Sequence, residues 1–544
     1  MKKTFLFTGI ILLFCNMGLF AQGNQLDAYT LSMPELSGTS RSMAMAGAFG
    51  ALGGDVSVIS SNPAGLGIYR SSEMSGTLDL SVAQTSTDWI NRASNQSKTR
   101  FSPNNFAFEL FFPTMSGGIE NWNMGFSFNR VKNFNRRYSM STNAHAYSMA
   151  DYSAWRASNA FGIGDGILPD EFERSPYMNA GLSGEWLPIL GYEAGFFGDI
   201  YEKENGLYHS AFGNWNGDNW NILAPKYSHL AVNESGYVNE YNLGFGVNIS
   251  NFMYLGASMS VTNLDYKYAS FYQDRFESGR TRDDDLFLEN WLNTEGSAFS
   301  INAGVITNLE MLRLGVAYNS PRWYKMTDYY DAQAGSYATG YAQPEAFSAI
   351  PEASSSEYNF RTPGRWIFSG AVILGQFALI SADYEISNYN EMLFSHDYNF
   401  SSYSNVDYIV NDYIKADFTW AHTLKLGGEI KVNPQFAIRA GYMMQTSPMR
   451  KDLVENYVEV YPAGTIPHFN TTSTPTNYYT VGLGYRFTPN FYMDLACVYR
   501  YNHSKAYAFS NTDMHRSNEE AVISIPASLK SKTTRVLLTM GYKF

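Results

Sequence analysis

The chain has 544 residues, of which 45% are hydrophobic, 16% are aromatic and only 16% are charged. Soluble domains contain roughly 25% charged residues, so this low charge, with 40 Tyr, 37 Phe and 45 Gly, is typical of strands with one apolar face and one small or polar face. The formal net charge of −12, without a basic stripe among the aromatic residues, excludes a nucleic-acid partner.

The first 21 residues have the features of a secretory signal peptide. Two lysines precede the apolar stretch 5–20, and Ala21 is a small residue suited to cleavage before Gln22. Cys497 is then the one remaining cysteine, so no intramolecular disulfide can form, and we interpret it as a small lipid-facing residue. No later segment has the apolar length of a membrane-spanning helix, which leaves a secreted globule or an outer-membrane barrel.

Residues 22–72 do not alternate and are rich in Gly, Ala, Ser and Met. Their glycines lack the Gly-Lys-Ser/Thr ending of a phosphate-binding loop. The sequence Asn62-Pro63-Ala64-Gly65 predicts a tight turn that cannot continue a strand. Small residues and tight turns favour a segment that is packed in a confined space.

From residue 73 onward, apolar residues recur at every second position, which is the period of a half-buried strand. Between 241 and 249, for example, Tyr241, Leu243 and Phe245 alternate with Asn242 and Gly244. Fourteen such segments, each of roughly ten residues, have the length of a tilted transmembrane strand. They begin near residues 73, 104, 121, 238, 253, 297, 311, 364, 377, 421, 435, 477, 491 and 533.

The connections alternate between short and long, as they do between the periplasmic turns and outer loops of outer-membrane barrels. Short turns are predicted near residues 251, 308–310, 375–376, 433–434 and 489–490. Long outer loops are predicted at 132–236, 266–296, 321–363, 389–418, 447–476 and 504–532. We therefore predict an all-β protein: a 14-stranded antiparallel transmembrane β-barrel at 73–544, with residues 22–72 as a lumenal hatch.

The last strand is amphipathic and places Phe544 at the end of the chain, on the same side as Tyr542 and Met540. A terminal aromatic residue on such a strand resembles the signal bound by the bacterial barrel-assembly machinery. We therefore expect that machinery as a partner, together with the lipid of the outer membrane.

The run from Gly38 to Gly47, followed by Asn62-Pro63-Ala64, resembles the hatch of FadL-type outer-membrane transporters of long-chain fatty acids and other hydrocarbons. The segments 424–428, 436–442 and 447–448 are similar to that family as well. The resemblance implies passive uptake: a hydrophobic ligand is caught by outer loops, enters a lumenal pocket and leaves sideways through a gap beside an inward kink in the third strand. Sideways release keeps an oily molecule out of water.

The same resemblance implies which residues form the hatch and its gate. They are Asn62, Pro63, Ala64 and Gly65 in the hatch turn, and Asn123, Gly125 and Ser127 in the third strand. Small residues in the third strand would tolerate the kink.

The outer loop 132–236 is unusually apolar for a solvent-exposed segment. One hypothesis is a greasy capture groove for the ligand, and the alternative is a small core that merely folds the loop. The candidate ligand-binding residues there are Trp155, Phe161, Phe172, Trp186, Leu187, Phe196 and Phe197. The segment 285–292 is predicted to form a short capped helix on the same surface.

Charged residues fall on the inward face of the later strands, where we expect them to pair across strands. These residues are Asp383, Glu385, Lys425, Glu429, Lys431, Arg439, Arg486, Asp494 and Arg500. The alternative is that one arginine, Arg439 in our prediction, binds a fatty-acid carboxylate. Histidines without paired spacing and an acidic run at 283–285 without calcium-loop spacing predict no metal or other cofactor. Without a nucleophile elbow or paired-acid motif, we expect no enzyme.

Two other functions compete with uptake of hydrophobic compounds. Some FadL-like barrels serve protein-secretion systems, in which the loops bind a protein partner instead of a small ligand. A water-filled porin is disfavoured because a hatch would obstruct its channel.

Overall fold

The computed structural model describes residues 23–544, except for 161–165, 175, 180–181, 183, 203–206, 217–218, 278–282, 340–344, 352–353, 397–404, 456–459, 461, 463 and 513–520. The predicted signal peptide and Phe161 lie outside the described residues.

The N-terminal segment forms short helical elements with tight turns between them, and it contains no strand among its described residues. Asn24 caps the first helix by accepting hydrogen bonds from the N–H groups of Leu26 and Asp27. The elements are α1 (Gln25–Ser32), α2 (Ser40–Ala44) and the 3₁₀ helices Val56–Ser60 and Pro63–Ile68.

Fourteen antiparallel strands close into a barrel, as predicted. They are β1 (Glu73–Trp89), β2 (Arg92–Ser116), β3 (Ile119–Asn133), β4 (Tyr227–Ile249), β5 (Met253–Phe276), β6 (Asp284–Leu309), β7 (Leu312–Asn319), β8 (Arg365–Leu374), β9 (Ala378–Asn388), β10 (Trp420–Lys431), β11 (Phe436–Gln445), β12 (Thr476–Arg486), β13 (Phe491–Tyr507) and β14 (Ala527–Lys543). Each pairs with the next, and β14 pairs with β1 from Glu73↔Lys543 to Asp88↔Ser528. Closure leaves no free edge within the membrane.

The alternation of the sequence sorts side chains between the two faces of the wall. On β5, Met259 and Val261 are exposed on the outside, whereas Ser258, Ser260 and Thr262 are buried inside. Similar exposed apolar residues on all fourteen strands form a continuous belt, which is the lipid-facing surface of a transmembrane barrel. No helix in the described part of the chain combines the length and apolarity required to cross a membrane.

The short turns lie where the sequence predicts them. Ser250 and Asn251 both have positive φ, 51° and 56°, which is the backbone of a two-residue hairpin turn. Asn248 accepts the N–H of Asn251 on its side-chain oxygen at 3.0 Å and so stabilises this turn. The predicted short turns all lie at one end, which we take as the periplasmic end, whereas the two-residue turn at Ile90 and Asn91 joins β1 to β2 at the other end.

Several strands continue far beyond the membrane, and this corrects two predictions. The predicted loop 266–296 is mostly strand, because β5 and β6 remain paired as far as Phe276↔Asp284. The predicted helix at 285–292 is part of β6 and is therefore wrong. Leu286, Leu288 and Leu292 are buried at alternate positions, which is the period-two pattern of a strand. The helix was predicted because the aspartates before them resemble a helix N-cap.

The remaining connections at the outer end form a cap over the barrel. Its elements are the strand Arg136–Thr142, α3 (Met149–Ser158), α4 (Pro169–Glu173), the 3₁₀ helix Pro176–Met178, α5 (Trp186–Glu193), the strands Phe197–Glu202, Leu207–Ser210, Gly213–Asn216, Asn219–Ile222, Trp323–Tyr337, Glu345–Ala349 and Ser354–Arg361, the 3₁₀ helix Tyr389–Glu391, the strand Leu393–Ser395, α6 (Asn405–Asp417), α7 (Lys451–Glu455) and the strand Phe469–Thr471. The cap and α1 share one apolar core, in which Tyr29 stacks on Phe418 at 5.8 Å.

Candidate functional site

Residues 23–72, the hatch, fill the lumen because the wall around them is built from small inward-facing residues. The hatch backbone lies directly on inward glycines: a Cβ on Gly427 would lie 2.6 Å from the Met45 carbonyl oxygen, and one on Gly256 would collide with the Pro63 carbonyl. Gly246, Gly315 and Gly441 meet the hatch backbone in the same way, and Gly304 and Gly482 meet the hatch side chains of Asn62 and Ala44. The inward glycine rows of the sequence are therefore the contact surface for the hatch.

The predicted hatch turn lies deep inside this surface. Asn62 is 1% exposed, and its side-chain amide donates to the Gly50 carbonyl oxygen at 2.6 Å. Its side-chain oxygen accepts the N–H of Ala64 at 3.2 Å, which fixes the start of the 3₁₀ helix over Pro63 and Gly65. The Asn62 amide also donates to the Val305 carbonyl of β6 at 3.4 Å, so the turn is bonded both to the hatch and to the wall.

Wall side chains hydrogen-bond the hatch backbone at several heights. Ser258 donates to the Ile59 carbonyl at 2.7 Å, and Thr480 donates to the Ala44 carbonyl at 2.8 Å. Asn319, Arg313 and Arg535 make equivalent bonds to the carbonyls of Ser60, Leu52 and Leu36. These bonds satisfy the carbonyl groups of a segment without regular structure.

Charged groups in the lumen pair with one another, as the first of the two sequence interpretations expects. Arg439, 7% exposed, donates to Glu429 at 2.6 Å and to Asp494 at 2.5 Å, and Arg41 of the hatch joins Glu429 at 3.1 Å. The predicted carboxylate ligand Arg439 thus already has two carboxylate partners. Near β9, Lys425 contacts Glu385 at 2.5 Å.

Three other charged residues have different surroundings from those predicted. Lys431 and Arg486 are exposed at the periplasmic rim, where no salt bridge among the described residues includes them. Arg500 pairs with Glu35 of the hatch at 2.7 Å instead of pairing across strands. Position along a strand, which alternation does not specify, decides which inward residues reach the hatch.

The predicted gate residues of the third strand lie in an intact part of the wall. Gly125 is paired with Glu109 of β2 and with Gly244 of β4, and pairing is continuous on both sides from Asn121 to Asn129. Asn123 donates to Glu109 at 2.7 Å, and Ser127 accepts from Asn242 at 3.2 Å. On the lumenal side, Ile59 and Leu66 of the hatch face Gly125. The wall is therefore closed at this height.

Above this height, the wall has a seam between β2 and β3. Their pairing ends at Asn105↔Asn129, and within the described residues 92–104 pair only with β1. Side chains take over the bridging role: Lys98 donates to the Glu234 carbonyl at 2.7 Å, and Arg100 donates to Asn133 at 3.1 Å. The seam was not predicted, although the polar composition of 92–100 is a signal that β2 changes environment there.

A cavity of about 210 Å³, the upper cavity, lies between α1 and the wall beside this seam. Asn133, Asn135 and Glu234 belong both to its lining and to the polar contacts across the seam. Apolar and aromatic side chains make up much of the remaining surface. They are Leu26, Tyr29, Met33, Ala83, Phe134, Tyr138, Tyr266, Tyr268, Met449, Phe469 and Tyr478. Cations also line the cavity: Lys132, Arg136, Arg500, Lys532 and Arg535.

The aromatic residues predicted to form a capture groove are packed in the core of the cap. Trp155, Phe172, Trp186, Leu187, Phe196 and Phe197 are all at most 7% exposed. Phe172 stacks on Tyr192 with ring centroids 4.3 Å apart, and Trp186 meets Tyr330 at 6.4 Å. None of these six lines the upper cavity, so in this structure they fold the cap.

Among the described residues, no group of His, Cys, Asp and Glu side chains is arranged to hold a metal ion. No protein-family model matches the chain, and no curated protein sequence matches it.

Solved structures nevertheless resemble this one over nearly its whole length. A FadL homologue from Pseudomonas aeruginosa is 10% identical, with 94% of this chain and 100% of that chain covered and a TM-score of 0.52. The toluene transporters TodX of Pseudomonas putida (10% identity, coverage 94% and 99%, TM-score 0.47) and TbuX of Ralstonia pickettii (11%, 94% and 99%, 0.42) are similar as well. The chain therefore has the FadL-like fold, which is that of an outer-membrane barrel, as the sequence predicts.

Proposed function

We propose that this protein is an outer-membrane channel for the passive uptake of hydrophobic compounds, with sideways release into the membrane. The observation that carries the proposal is the upper cavity, which adjoins the seam on one side and the hatch on another. A ligand there has apolar and aromatic surface around it, and the hatch obstructs the direct path to the periplasm.

The seam is the weakest part of the wall at the height of the upper cavity. A continuous strand ladder would have to break several backbone hydrogen bonds to open, whereas Lys98 and Arg100 need only exchange side-chain partners. Phe101, 67% exposed, lies on the outer face just above the end of the pairing, so an oily molecule that leaves there meets lipid.

The hatch and the gate of the third strand have separate roles in this proposal. Asn62, Pro63, Ala64 and Gly65 keep the lower lumen closed. Asn123, Gly125 and Ser127 lie below the seam, and a small inward displacement there would lengthen the opening downward.

The proposed ligand is an amphiphile such as a long-chain fatty acid. Four inward cations line the upper cavity: Arg136, Arg500 and Arg535 pair with Glu234, Glu35 and Asp79, and Lys132 donates to backbone carbonyls of the hatch. A ligand carboxylate can replace Glu35 as the partner of Arg500. Arg439 is less suited to this role because it already bridges two carboxylates.

Cross-linking the seam tests sideways release. In a Cys497→Ser background, Lys98→Cys and Asn135→Cys would be joined by a short bismaleimide, because the Asn135 amide lies 3.4 Å from the Lys98 carbonyl oxygen. We expect uptake of a fluorescent fatty acid into cells without their own channel to fall several-fold. The control pair Tyr499→Cys and Thr534→Cys joins register partners that are already paired, so its cross-linking should leave uptake unchanged. Equal uptake before and after seam cross-linking would exclude this exit.

The head-group part of the proposal is tested at Arg500. A charge-assisted hydrogen bond contributes about 1.5–3 kcal/mol, so Arg500→Gln should slow uptake of limiting oleate by about tenfold or more. Uptake of toluene, which has no charged group, should change little. Arg174→Gln, at an exposed position in the cap, is the control. If oleate and toluene uptake fall equally, Arg500 does not select a carboxylate.

A role in protein secretion is the alternative outcome. The protein is purified in mild detergent, and its bound lipids are extracted and identified. The mass of the intact complex shows whether a protein partner is bound. Co-purified fatty acid or hydrocarbon supports uptake, whereas a stoichiometric protein without any such ligand would favour secretion. The proposal also includes recognition of Phe544 by the barrel-assembly machinery.

A further inference from the structure

An aromatic patch lies on the outer face of the barrel wall, above the lipid belt. Trp291 on β6 is 40% exposed and Tyr329 on the strand Trp323–Tyr337 is 47% exposed, and neither belongs to the upper cavity. Together with Lys267, Asn293 and Asp331, they line a shallow groove of about 300 Å³, the lateral groove. Exposed tryptophan above a membrane surface costs solubility and usually marks an interaction site.

The register of the strands arranges these side chains in two rows. In one row, Trp291 stands between Ala269 of β5 and Asp331. In the next row, Asn293 stands between Lys267 and Tyr329. Because Ala269 is small, a depression remains beside the indole ring of Trp291. Polar side chains surround this depression.

The groove is rigid because its inner side is a packed core. Leu292 and Tyr330, neighbours of Trp291 and Tyr329 on the same strands, point inward and are buried at 6% and 5% exposure. Four paired strands carry the groove, so its rings and polar groups keep their spacing without a ligand. Within the described residues, the side-chain oxygen of Asn293 is covered yet has no hydrogen-bond partner.

The height of the groove indicates which molecules can reach it. Phe299 is the uppermost exposed apolar residue of the lipid belt on β6, and Trp291 lies eight residues farther along the same outer face. At about 3.3 Å per residue and a strand tilt of about 40°, the groove lies roughly 20 Å above the belt. It faces sideways, along the lipid-contacting surface, and not toward the open outer end.

We infer that the lateral groove binds the sugar head group of an outer-leaflet glycolipid whose acyl chains lie against the belt below. A sugar ring has an apolar C–H face that fits on Trp291 and Tyr329, and its hydroxyl groups match the amide of Asn293 and the carboxylate of Asp331. Between the belt and the groove, the acidic residues Asp265 and Glu295 are register partners, and Lys325 in the row below them is paired with Glu357 at 3.2 Å. Carboxylates disfavour direct contact with lipid phosphates, so recognition depends on the sugars.

Binding of defined glycolipids to the full-length protein in mild detergent tests this inference by native mass spectrometry. The probes are a lipopolysaccharide that carries its core oligosaccharide, lipid A without core sugars, and the free core oligosaccharide. We expect the core-bearing form to bind more tightly than lipid A and to be displaced by the free oligosaccharide. An aromatic contact contributes about 0.5–1.5 kcal/mol, so Trp291→Ala should weaken the core-bearing form by about two- to tenfold.

The matched control is Trp323→Ala, because Trp323 is a similarly exposed tryptophan (39%) that is paired with Phe299 at the top of the belt. It should retain the preference for the core-bearing form. Heat-modifiable migration on gels verifies that each variant is a folded barrel, and uptake of hydrophobic compounds should be unaffected by Trp291→Ala. Equal binding of lipid A and the core-bearing form, or unchanged binding by a folded Trp291→Ala variant, would overturn the inference.

Discussion

At the scale of single residues, burial decides what a charged group can do in this protein. Arg439 has the chemistry to bind a carboxylate, but two protein carboxylates lie within 2.6 Å of it. Removing one partner from such a group leaves an uncompensated buried charge, which is strongly destabilising. Arg500 differs because its salt-bridge partner Glu35 belongs to the hatch and not to the wall.

The outer cap contains a titratable residue with a clear pH dependence. Asp151 closes the N-terminus of α3 by accepting the N–H of Ser148 at 2.6 Å, and burial raises the pKa of its carboxyl from 3.8 to about 7. In the unfolded chain the proton is lost near the ordinary value, so between pH 3.8 and about 7 the folded cap holds more protons. Stability of the cap should therefore fall as the pH rises through this window and level off above it.

Hydrogen exchange of the α3 amides at pH 5 and pH 8 measures this effect. We expect faster exchange at pH 8 beyond the intrinsic pH dependence. Asp151→Asn should reduce the difference because its side chain does not ionise, and the remainder comes from Asp274, which accepts the Met149 N–H at 3.0 Å and whose pKa burial raises to about 6. Asp170→Asn, at an exposed carboxylate on α4, should leave the difference in place. Identical corrected rates at both pH values in the unmodified protein would contradict the prediction.

At the scale of elements, the hatch and the strands are adapted to one another. The hatch lacks regular structure over much of its length. Its backbone carbonyl groups nevertheless accept hydrogen bonds from wall side chains, and its residues pack against inward glycines. The glycines weaken the strands that carry them, and close contact with the hatch is the reason for their presence.

Two adjacent glycines on β10 test this adaptation. Gly427 faces Met45 of the hatch, whereas Gly428 faces outward and has only the Leu379 carbonyl near it, at 3.7 Å. Gly427→Val should displace the hatch locally, at a cost of about 1–3 kcal/mol for overpacking, and should raise the leak of small sugars in liposome swelling. Gly428→Val places the same side chain in lipid and should leave the leak unchanged. Equal leaks in the two variants would mean that the hatch does not depend on this contact.

At the scale of the whole molecule, closure of the barrel depends on the pairing of its first and last strands. Phe544 follows β14, donates its N–H to the Ser72 carbonyl at 3.0 Å and is 57% exposed, with its ring 6.0 Å from that of Phe108. The side chain therefore contributes little to the core, and its proposed role is in assembly.

Phe544→Ala should reduce the amount of folded barrel in the outer membrane while leaving the stability of the assembled barrel nearly unchanged. Heat-modifiable migration of outer-membrane fractions measures the first quantity, and urea unfolding of the purified barrel measures the second. Phe487→Ala, at a similarly exposed rim aromatic residue (51%), is the control and should assemble normally. If both variants assemble to the same extent, the terminal aromatic residue is not the recognised feature.

Local sequence patterns were sufficient to predict the barrel, its strand number and the short turns of its periplasmic end. Alternation is local: once a segment is a strand, successive side chains face opposite sides, and a closed barrel converts that rule into an outer belt and an inner surface. The left-handed turn at Ser250 and Asn251 is local as well.

Three features could not be predicted from local patterns. They are the length of β5 and β6 above the membrane, the point where β2 and β3 separate, and the salt-bridge partners of Arg439 and Arg500. These features depend on register between segments that are distant in sequence, and period two is the same for every even shift of register. The packing of the apolar outer loop also depends on segments that are distant in sequence. Whether Trp186 lines a groove or fills a core depends on what packs against it, and its own segment does not specify that.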